Sequence, residues 1–346
     1  MSAKVQIAGE VIEPDTRVTL NLPIPQLYTH TPMEMPVHVV RGKRDGPCLF
    51  VCAAIHGDEL NGVEIIRRLM NHAQMRRIRG TLTAIPIVNV YGVIHHSRYL
   101  PDRRDLNRSF PGSDKGSLAS RLAHLLMTEV VGNATHAIDL HTGALHRSNV
   151  PQIRADVDDG DTKELAEAFG VPVIINSKLR DGSLRQAACD LGIPIVIYEA
   201  GEALRFDEVG IRVGLRGINN VMCALGMLPA KKIRNVPKKP FTAQSSVWIR
   251  APISGVLLNN TQLGSIVKQG DLLGAVADPF GQTETEITAS TPGIVIGRTH
   301  LPLVNEGDAV IHIARFDDVS AAADQVHAFR NTELEAIDKD DKPGVV

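Results

Sequence analysis

The sequence predicts an α/β fold, with a mixed, largely parallel sheet flanked by helices, followed by a C-terminal all-β module. Short β-branched apolar runs alternate with amphipathic stretches between residues 48 and 228. Continuous apolar strands separated by helices are typical of a sheet that is buried on both faces. Helical periodicity disappears beyond about residue 240, and short strands broken by Gly-Asp turns follow. We therefore expect one large α/β unit and one smaller β unit.

Each element of the α/β part is predicted from its own pattern. Residues 1–46 form an N-terminal β segment, in which residues 37–40 are the clearest strand. The apolar runs predicted as strands of the main sheet are 48–55, 81–89, 134–141, 171–176 and 193–199. The stretches predicted as helices are 59–70, 117–131, 162–169, 183–190 and 207–225.

The C-terminal β module, residues 241–316, carries a weak internal repeat. Residues 251–256 are followed by a Gly-Asp turn at 270–271, and residues 291–295 by a Gly-Asp turn at 307–308. This pattern resembles the barrel-sandwich fold of biotinyl and lipoyl carrier domains. The lysine that such carriers modify would fall at Glu284. We therefore expect a structural or substrate-access role for the module instead of a carrier role.

The remaining domain boundaries follow from composition. Residues 1–240 are predicted to form the α/β domain, which ends in a linker rich in lysine and proline. Residues 317–346 are polar and acidic, and they are predicted to be a peripheral tail with a short helix.

Composition excludes several classes of protein. The formal net charge is -2, and the basic linker has no interleaved aromatic residue, so we expect no nucleic-acid partner. We find neither an N-terminal apolar segment typical of a signal peptide nor the roughly 20 apolar residues of a membrane helix. The four cysteines form no Cys-x-x-Cys pair, which is typical of buried thiols in a reducing cytoplasm. A homo-oligomer is left open.

The strongest sign of chemistry is a histidine and a glutamate that follow the first apolar strand. His56 and Glu59 are three residues apart at a strand–helix junction, and strand ends are where open α/β sheets bind ligands. A solvent-facing pair is the commoner interpretation of this spacing alone. A second strand, however, ends in His141, which would complete a set of two imidazoles and one carboxylate. Such a set suits zinc and leaves a coordination position for water.

Arginines and a strand-end glutamate supply further candidates. The loop at 98–112 holds four arginines, the side chain best shaped to bind a carboxylate through two parallel hydrogen bonds. A solvated charged loop is the alternative. Glu199 ends another apolar strand, where burial and a nearby cation can poise a carboxylate for proton transfer. Pairing of Glu199 with one of the arginines fits equally well.

Four short motifs in order resemble the succinylglutamate desuccinylase and aspartoacylase family, a branch of the zinc carboxypeptidase superfamily. They are His-Gly-Asp-Glu at 56–59, Asp-Leu-Asn-Arg at 105–108, Asp-Leu-His-Thr-Gly at 139–143 and Tyr-Glu-Ala-Gly at 198–201. Each motif is modest, but their joint order and spacing are specific. The resemblance covers about residues 35–315, because members of this family also carry a C-terminal β module. It implies a zinc carboxypeptidase-like fold for the α/β domain.

The resemblance also implies the metal site. His56, Glu59 and His141 would hold one zinc ion per chain. Asp105 would orient one of the zinc-bound imidazoles, a common arrangement around metal-binding histidines.

The same resemblance implies roles for four further residues. Glu199 would be the general base that activates water and then protonates the leaving amine. Arg98 would polarise the scissile carbonyl and stabilise the oxyanion. Asn107 and Arg108 would bind the α-carboxylate of the substrate.

The segment after the third motif departs from the two enzymes that give the family its name. It resembles a bacterial subgroup that includes deacetylases of N-acetyl-2,4-diaminobutyrate in ectoine breakdown. His146, Arg147, Asn149 and Arg154 would line the pocket for the acyl group or the side chain. This departure argues against succinylglutamate and N-acetylaspartate as substrates.

The expected reaction is hydrolysis of the amide bond in a small, carboxylate-bearing N-acyl amino acid. A zinc carboxypeptidase that acts on short peptides would use the same residues. A protein that binds a metal or ligand without catalysis is the second alternative. The β module favours the deacylase, because in the family it can narrow access to the site. Three ligands with an open position favour a catalyst over a structural zinc site, which usually has four.

Overall fold

The computed structural model describes residues 5–229 and 240–340. The predicted mixed α/β fold with a C-terminal all-β region is confirmed. The basic linker predicted at 231–239 lies outside the described residues. The strands are β1 Val5–Ile7, β2 Glu10–Ile12, β3 Thr16–Ile24, β4 Met33–Arg41, β5 Cys48–Ala53, β6 Thr81–Ile85, β7 His136–Gly143, β8 Arg147–Ala155, β9 Val173–Asn176, β10 Ile195–Glu202, β11 Phe241–Ala243, β12 Ser245–Arg250, β13 Gly255–Asn259, β14 Ile266–Val267, β15 Leu272–Ala277, β16 Glu284–Thr288, β17 Gly293–Thr299, β18 Leu303–Val304 and β19 Ala309–Arg315. The α-helices are α1 Asn61–Asn71, α2 Val90–Ile94, α3 Leu118–Glu129, α4 Gly160–Phe169, α5 Leu184–Asp190, α6 Glu208–Ala224 and α7 Val319–Asp340.

One large mixed sheet organises the described residues. Its main path runs in the order β12-β19-β17-β8-β10-β7-β5-β6-β4-β3. The central strands β10, β7, β5 and β6 pair in parallel, whereas β4 and β3 on one side and β8, β17, β19 and β12 on the other pair antiparallel. The central strands are therefore the ones whose carboxyl ends meet at one edge.

The helices cover both faces of the central strands. Four of them begin at a serine or aspartate whose side chain accepts a backbone N–H of the first turn, which satisfies a donor that the helix itself leaves free. These residues are Ser117 before α3, Asp159 before α4, Ser183 before α5 and Asp207 before α6. Two apolar clusters, one on each face, form the core of the α/β part.

The packing of α6 against α4 depends on a glycine. A methyl group at Gly217 would lie 2.0 Å from the Phe169 ring. That ring is buried and stacks on Tyr198 with centroids 5.0 Å apart. Gly217→Ala should therefore destabilise the protein by about 1–3 kcal/mol, because the ring has no free space to enter. A urea or thermal unfolding curve measures the change. Gly160→Ala, where no atom lies within 4 Å of the added methyl group, is the control and should be close to neutral.

The C-terminal β module packs as two sheets around one core. The sheet β16-β15-β13-β18 faces β12, β14, β17 and β19, and apolar residues from all eight strands form a single cluster. Glu284, the position aligned with a carrier lysine, is exposed at the start of β16. The module also continues the large sheet, because β17 pairs with β8. The division into domains 1–240 and 241–316 therefore stays a prediction.

The helix expected in the C-terminal tail is much longer than predicted, whereas the peripheral place of the tail stays a prediction. Helix α7 is 22 residues long, and its Ala322 and Val326 are buried beside β9 and β17. Its Glu333 is buried and forms an ion pair with Arg216 of α6. This packing could not be predicted from the polar sequence, because only a few residues in each turn of the helix make the contact.

Two further findings concern helices and thiols. Within residues 5–229 and 240–340, no helix is both long and apolar enough to cross a membrane. All four cysteines are free thiols.

Candidate active site

Three side chains from neighbouring strand ends meet in one buried group. His56 and Glu59 lie between β5 and α1, and His141 lies on β7, which pairs with β5 in parallel. Nδ1 of His56 is 2.7 Å from Glu59 Oε1, and Nδ1 of His141 is 2.7 Å from Glu59 Oε2. One possible ligand atom from each residue lies within 4.8 Å of the other two. This group could hold a metal ion.

The outer nitrogens of both imidazoles contact further carboxylates. Nε2 of His56 is 3.1 Å from Asp105, and Nε2 of His141 is 2.8 Å from Asp139. A carboxylate that accepts the Nε2 proton fixes the ring and presents Nδ1 to a cation. The resemblance to the family implies this role for Asp105, whereas the same role of Asp139 was not predicted. The signal was present, because residues two apart on a strand point to the same face.

The charges of this group stabilise one another against the cost of burial. Burial lowers the pKa of both histidines, but the carboxylates of Glu59, Asp105 and Asp139 outweigh it and raise both pKa values. Burial raises the pKa of Glu59, but His56 and His141 outweigh it and hold that pKa well below its usual range.

The residues of the group fit a divalent cation. The carboxylates of Glu59, Asp105 and Asp139 would balance the charge of two protonated imidazoles together with Arg98, whose guanidinium lies 3.2 Å from Glu59 and 3.0 Å from Asp105. A dication that displaced the two Nδ1 protons would leave the total charge unchanged. Two imidazoles and one carboxylate are also a ligand set that zinc takes in catalytic sites. The donor chemistry therefore agrees with the predicted zinc ion.

Glu199 lies beside His141 and is held by two hydrogen-bond donors and one ion pair from β8. The two residues are register partners on the parallel strands β10 and β7. Oε2 of Glu199 accepts hydrogen bonds from Asn149 at 2.9 Å and Gln152 at 3.2 Å. Nε of Arg154 lies 3.0 Å from Oε1, which makes an ion pair, but the geometry of this contact is not that of a hydrogen bond. Both interpretations of Glu199, as a base and as a partner of an arginine, therefore remain compatible with its contacts.

The proposed carboxylate binders lie at the start of α5. Asn107 Oδ1 accepts the backbone N–H of Leu184 at 2.9 Å, so its amide nitrogen is the group left to bind a ligand. Arg108 donates to the carbonyl of Asn107 and is exposed.

A cavity of about 610 Å³ joins these groups. The predicted site residues that line it are His56, Glu59, Arg98, Asn107, Arg108, His141, Arg147, Asn149, Arg154 and Glu199. His146 is not among the lining residues, so the expectation that it lines the pocket is wrong. Asp105 lies behind the wall, between His56 and Arg98.

The lining of the cavity is strongly cationic. Seven arginines and lysines face two carboxylates, and the seven are Arg98, Arg108, Arg147, Arg154, Lys178, Arg180 and Arg185. Arg98 and Arg154 form ion pairs. Among the described residues, the other five have no carboxylate within ion-pair distance. The cavity is therefore suited to an anionic ligand.

Comparison with known proteins decides the family. The family model of the succinylglutamate desuccinylase/aspartoacylase catalytic domain matches residues 45–225, just over half of the chain. The chain belongs to this family. It is also similar to the N-alpha-acetyl-L-2,4-diaminobutyric acid deacetylase of Halomonas elongata, with 27% identity over 294 residues that cover 81% of this chain and 85% of that protein.

Solved structures from the family share the fold. A succinylglutamate desuccinylase/aspartoacylase from Rhodobacter sphaeroides has a TM-score of 0.79 at 24% identity, covering 88% of this chain and 98% of that one. The product-bound ectoine utilization protein EutE (DoeB) from Ruegeria pomeroyi has a TM-score of 0.78 at 24% identity, covering 88% of this chain and 97% of that one. The resemblance expected from the four motifs is confirmed.

Two lining residues had no signal in the sequence. Arg185 is 4% exposed, and its Nε and Nη1 have no hydrogen-bond partner among the described residues. Trp248, the only tryptophan of the chain, reaches the cavity from the β module, and Arg147 lies 5.1 Å over its ring. An arginine inside a helix and a tryptophan inside a strand are too common to indicate a site, so only the fold assigns them to this one.

Proposed function

We propose that this protein is a zinc-dependent hydrolase that cleaves the amide bond of a small, carboxylate-bearing N-acyl amino acid. One observation carries the proposal: a single cavity joins a possible metal group, a glutamate beside it and an excess of cations. Family membership and the deacetylase from Halomonas elongata agree with it. The products would be the free amino acid and the carboxylic acid of the acyl group.

The metal ligands, Glu199 and Arg98 would each have a different role in amide hydrolysis. A zinc ion held by His56, Glu59 and His141 would supply Lewis-acid chemistry, which acidifies water and polarises a carbonyl. Glu199 would take a proton from the attacking water and return it to the departing nitrogen. The guanidinium of Arg98 would stabilise the oxyanion that develops on the carbonyl.

The other cations would bind the substrate. Asn107 and Arg108 would hold its α-carboxylate, since an arginine can form two parallel hydrogen bonds with a carboxylate. Arg147 would bind near the acyl group or the side chain, and Arg185 is a further cation for an anionic group. This charge favours substrates with two or more carboxylates. The excess of positive charge therefore weakens the expectation, drawn from the sequence, that succinylglutamate and N-acetylaspartate are not substrates.

Release of free amine from a panel of N-acyl amino acids tests the proposal. The panel includes N-acetyl-diaminobutyrate, N-acetylaspartate, succinylglutamate and several dipeptides, each with and without added zinc. Zinc-dependent cleavage of an acylated amino acid is the expected result. Cleavage of dipeptides alone would indicate a carboxypeptidase. No cleavage with zinc bound would favour a protein that binds a metal without catalysis.

Arg108 should contribute mainly to substrate binding. Arg108→Ala should raise KM by about 10- to 100-fold with little change in kcat, because a lost charge-assisted hydrogen bond costs about 1.5–3 kcal/mol. Steady-state kinetics on the best substrate of the panel measures both constants. Arg104→Ala, which removes an exposed arginine of the same loop that does not line the cavity, should leave them unchanged. A fall in kcat at constant KM would contradict this assignment.

A further inference from the structure

A row of paired residues connects the β module to the strand of the proposed base. Trp248 on β12 pairs with His312 on β19, which pairs with Gly297 on β17. Gly297 pairs with Asn149 on β8, and Asn149 pairs with Gly201 on β10. Residues paired in this way point to the same face of a sheet. The row therefore crosses from the β module to the strand that carries Glu199.

The two halves of the row differ in how they pack. At the module end, the Trp248 and His312 rings stack with centroids 4.4 Å apart at an angle of 8°. At the other end, the Asn149 amide donates to Glu199. Between them stands Gly297, which has no side chain. A methyl group there would lie 2.6 Å from Asn149 Oδ1 and 3.3 Å from His312 Cβ. The glycine is thus a steric requirement for the present position of the Asn149 amide.

A bulge in β8 allows two amides to reach the same carboxylate oxygen. Glu199 pairs with Gln152 and Gly201 pairs with Asn149. An interval of three residues on β8 therefore lies opposite an interval of two residues on β10. On a regular strand, residues three apart point to opposite faces. The extra residue turns one of the two side chains towards the other, which is a common effect of bulges near active sites. Both amides then donate to Glu199 Oε2.

We infer that the β module positions Glu199 through Gly297 and Asn149. This inference rests on the proposed function, in which Glu199 is the general base. Asn149 is a positioning residue: it occupies one oxygen of the carboxylate and thereby sets the direction in which the other oxygen faces the cavity. Gly297 leaves the space that this arrangement needs. An error of about 1 Å in the position of a reacting group can cost about 100-fold in rate.

A double-mutant cycle tests the inference on the full-length, zinc-loaded protein. Gly297→Ala should lower kcat by about 10- to 100-fold while KM changes less than about twofold, because the base is displaced and the substrate contacts stay. Asn149→Ala should lower kcat by a similar factor. The double variant should be no slower than Asn149→Ala alone, because the added methyl group then has no Oδ1 to displace.

Several readouts separate positioning from general damage to the fold. Zinc content, melting temperature and the emission of Trp248 should match the wild type in Asn149→Ala. Gly160→Ala, a glycine-to-alanine change in open space, should have wild-type kinetics. If Gly297→Ala does not fold, Asn149→Ala still decides the matter, and wild-type kcat in that variant would overturn the inference.

The possible failures are distinguishable. Independent, multiplicative effects of Gly297→Ala and Asn149→Ala would overturn the positioning by the β module, even when the wild type is active and Glu199→Gln is not. An inactive wild type, or an active Glu199→Gln, would overturn the proposed function and this inference together.

Discussion

Glu199→Gln should lower kcat by about 10²- to 10⁴-fold, the usual contribution of a general acid–base residue. Glutamine has the shape of glutamate, so its carbonyl can still accept from Asn149 and Gln152. It cannot take a proton from water at neutral pH. Zinc content and KM should therefore stay close to the wild type while turnover is almost lost. Steady-state kinetics together with metal analysis measures all three quantities.

A second glutamate on the same strand provides the control. Glu202 is buried at the end of β10 but does not line the cavity. Glu202→Gln should thus retain kcat within a few fold. Unchanged turnover in Glu199→Gln would exclude Glu199 as the base and leave pairing with Arg154 as its function.

Removal of the metal should have the other large effect. Chelation should abolish activity, and added zinc should restore it. His141→Ala should lower the zinc content from one per chain towards zero and kcat/KM by about 10³-fold or more. A metal ion typically supplies several kcal/mol of charge stabilisation in the transition state, and each 1.36 kcal/mol is a factor of ten in rate. Metal analysis and kinetics on the same samples measure both effects.

Thermal unfolding gives a test of zinc binding that is independent of activity. A ligand that binds only the folded state stabilises it, so zinc should raise the melting temperature of the wild type but not of His141→Ala. His136 lies on the same strand, half-buried at its start, and His136→Ala should retain zinc and activity. Full activity in a metal-free preparation would refute the zinc mechanism.

The fold class followed from patterns that are local in the chain. Apolar runs such as 48–55 and 134–141 correspond to β5 and β7, because a strand buried on both faces must be apolar throughout. The metal group could also be predicted from local patterns in the sequence. His56 and Glu59 follow β5, His141 lies near the end of β7, and parallel neighbours bring their carboxyl ends to one edge.

Other features depend on which distant segments become neighbours. Nothing near residue 317 indicates a 22-residue helix with a buried Glu333, since that burial requires Arg216 of α6. The pairing of β17 with β8 likewise joins segments that are about 150 residues apart. The local composition of a segment does not indicate which distant segment it will pair with.

The sequence by itself therefore determined the α/β class, the family and the residues His56, Glu59, His141 and Glu199 as candidates. Their types and their places at strand ends are local properties of the chain. Only the tertiary structure decided that Arg185 lines the cavity with its Nε and Nη1 left without a hydrogen-bond partner among the described residues, and that Gly297 leaves room for Asn149. Both placements arise when segments far apart in sequence meet, and the register in which β17 pairs with β8 is a property of the assembled sheet.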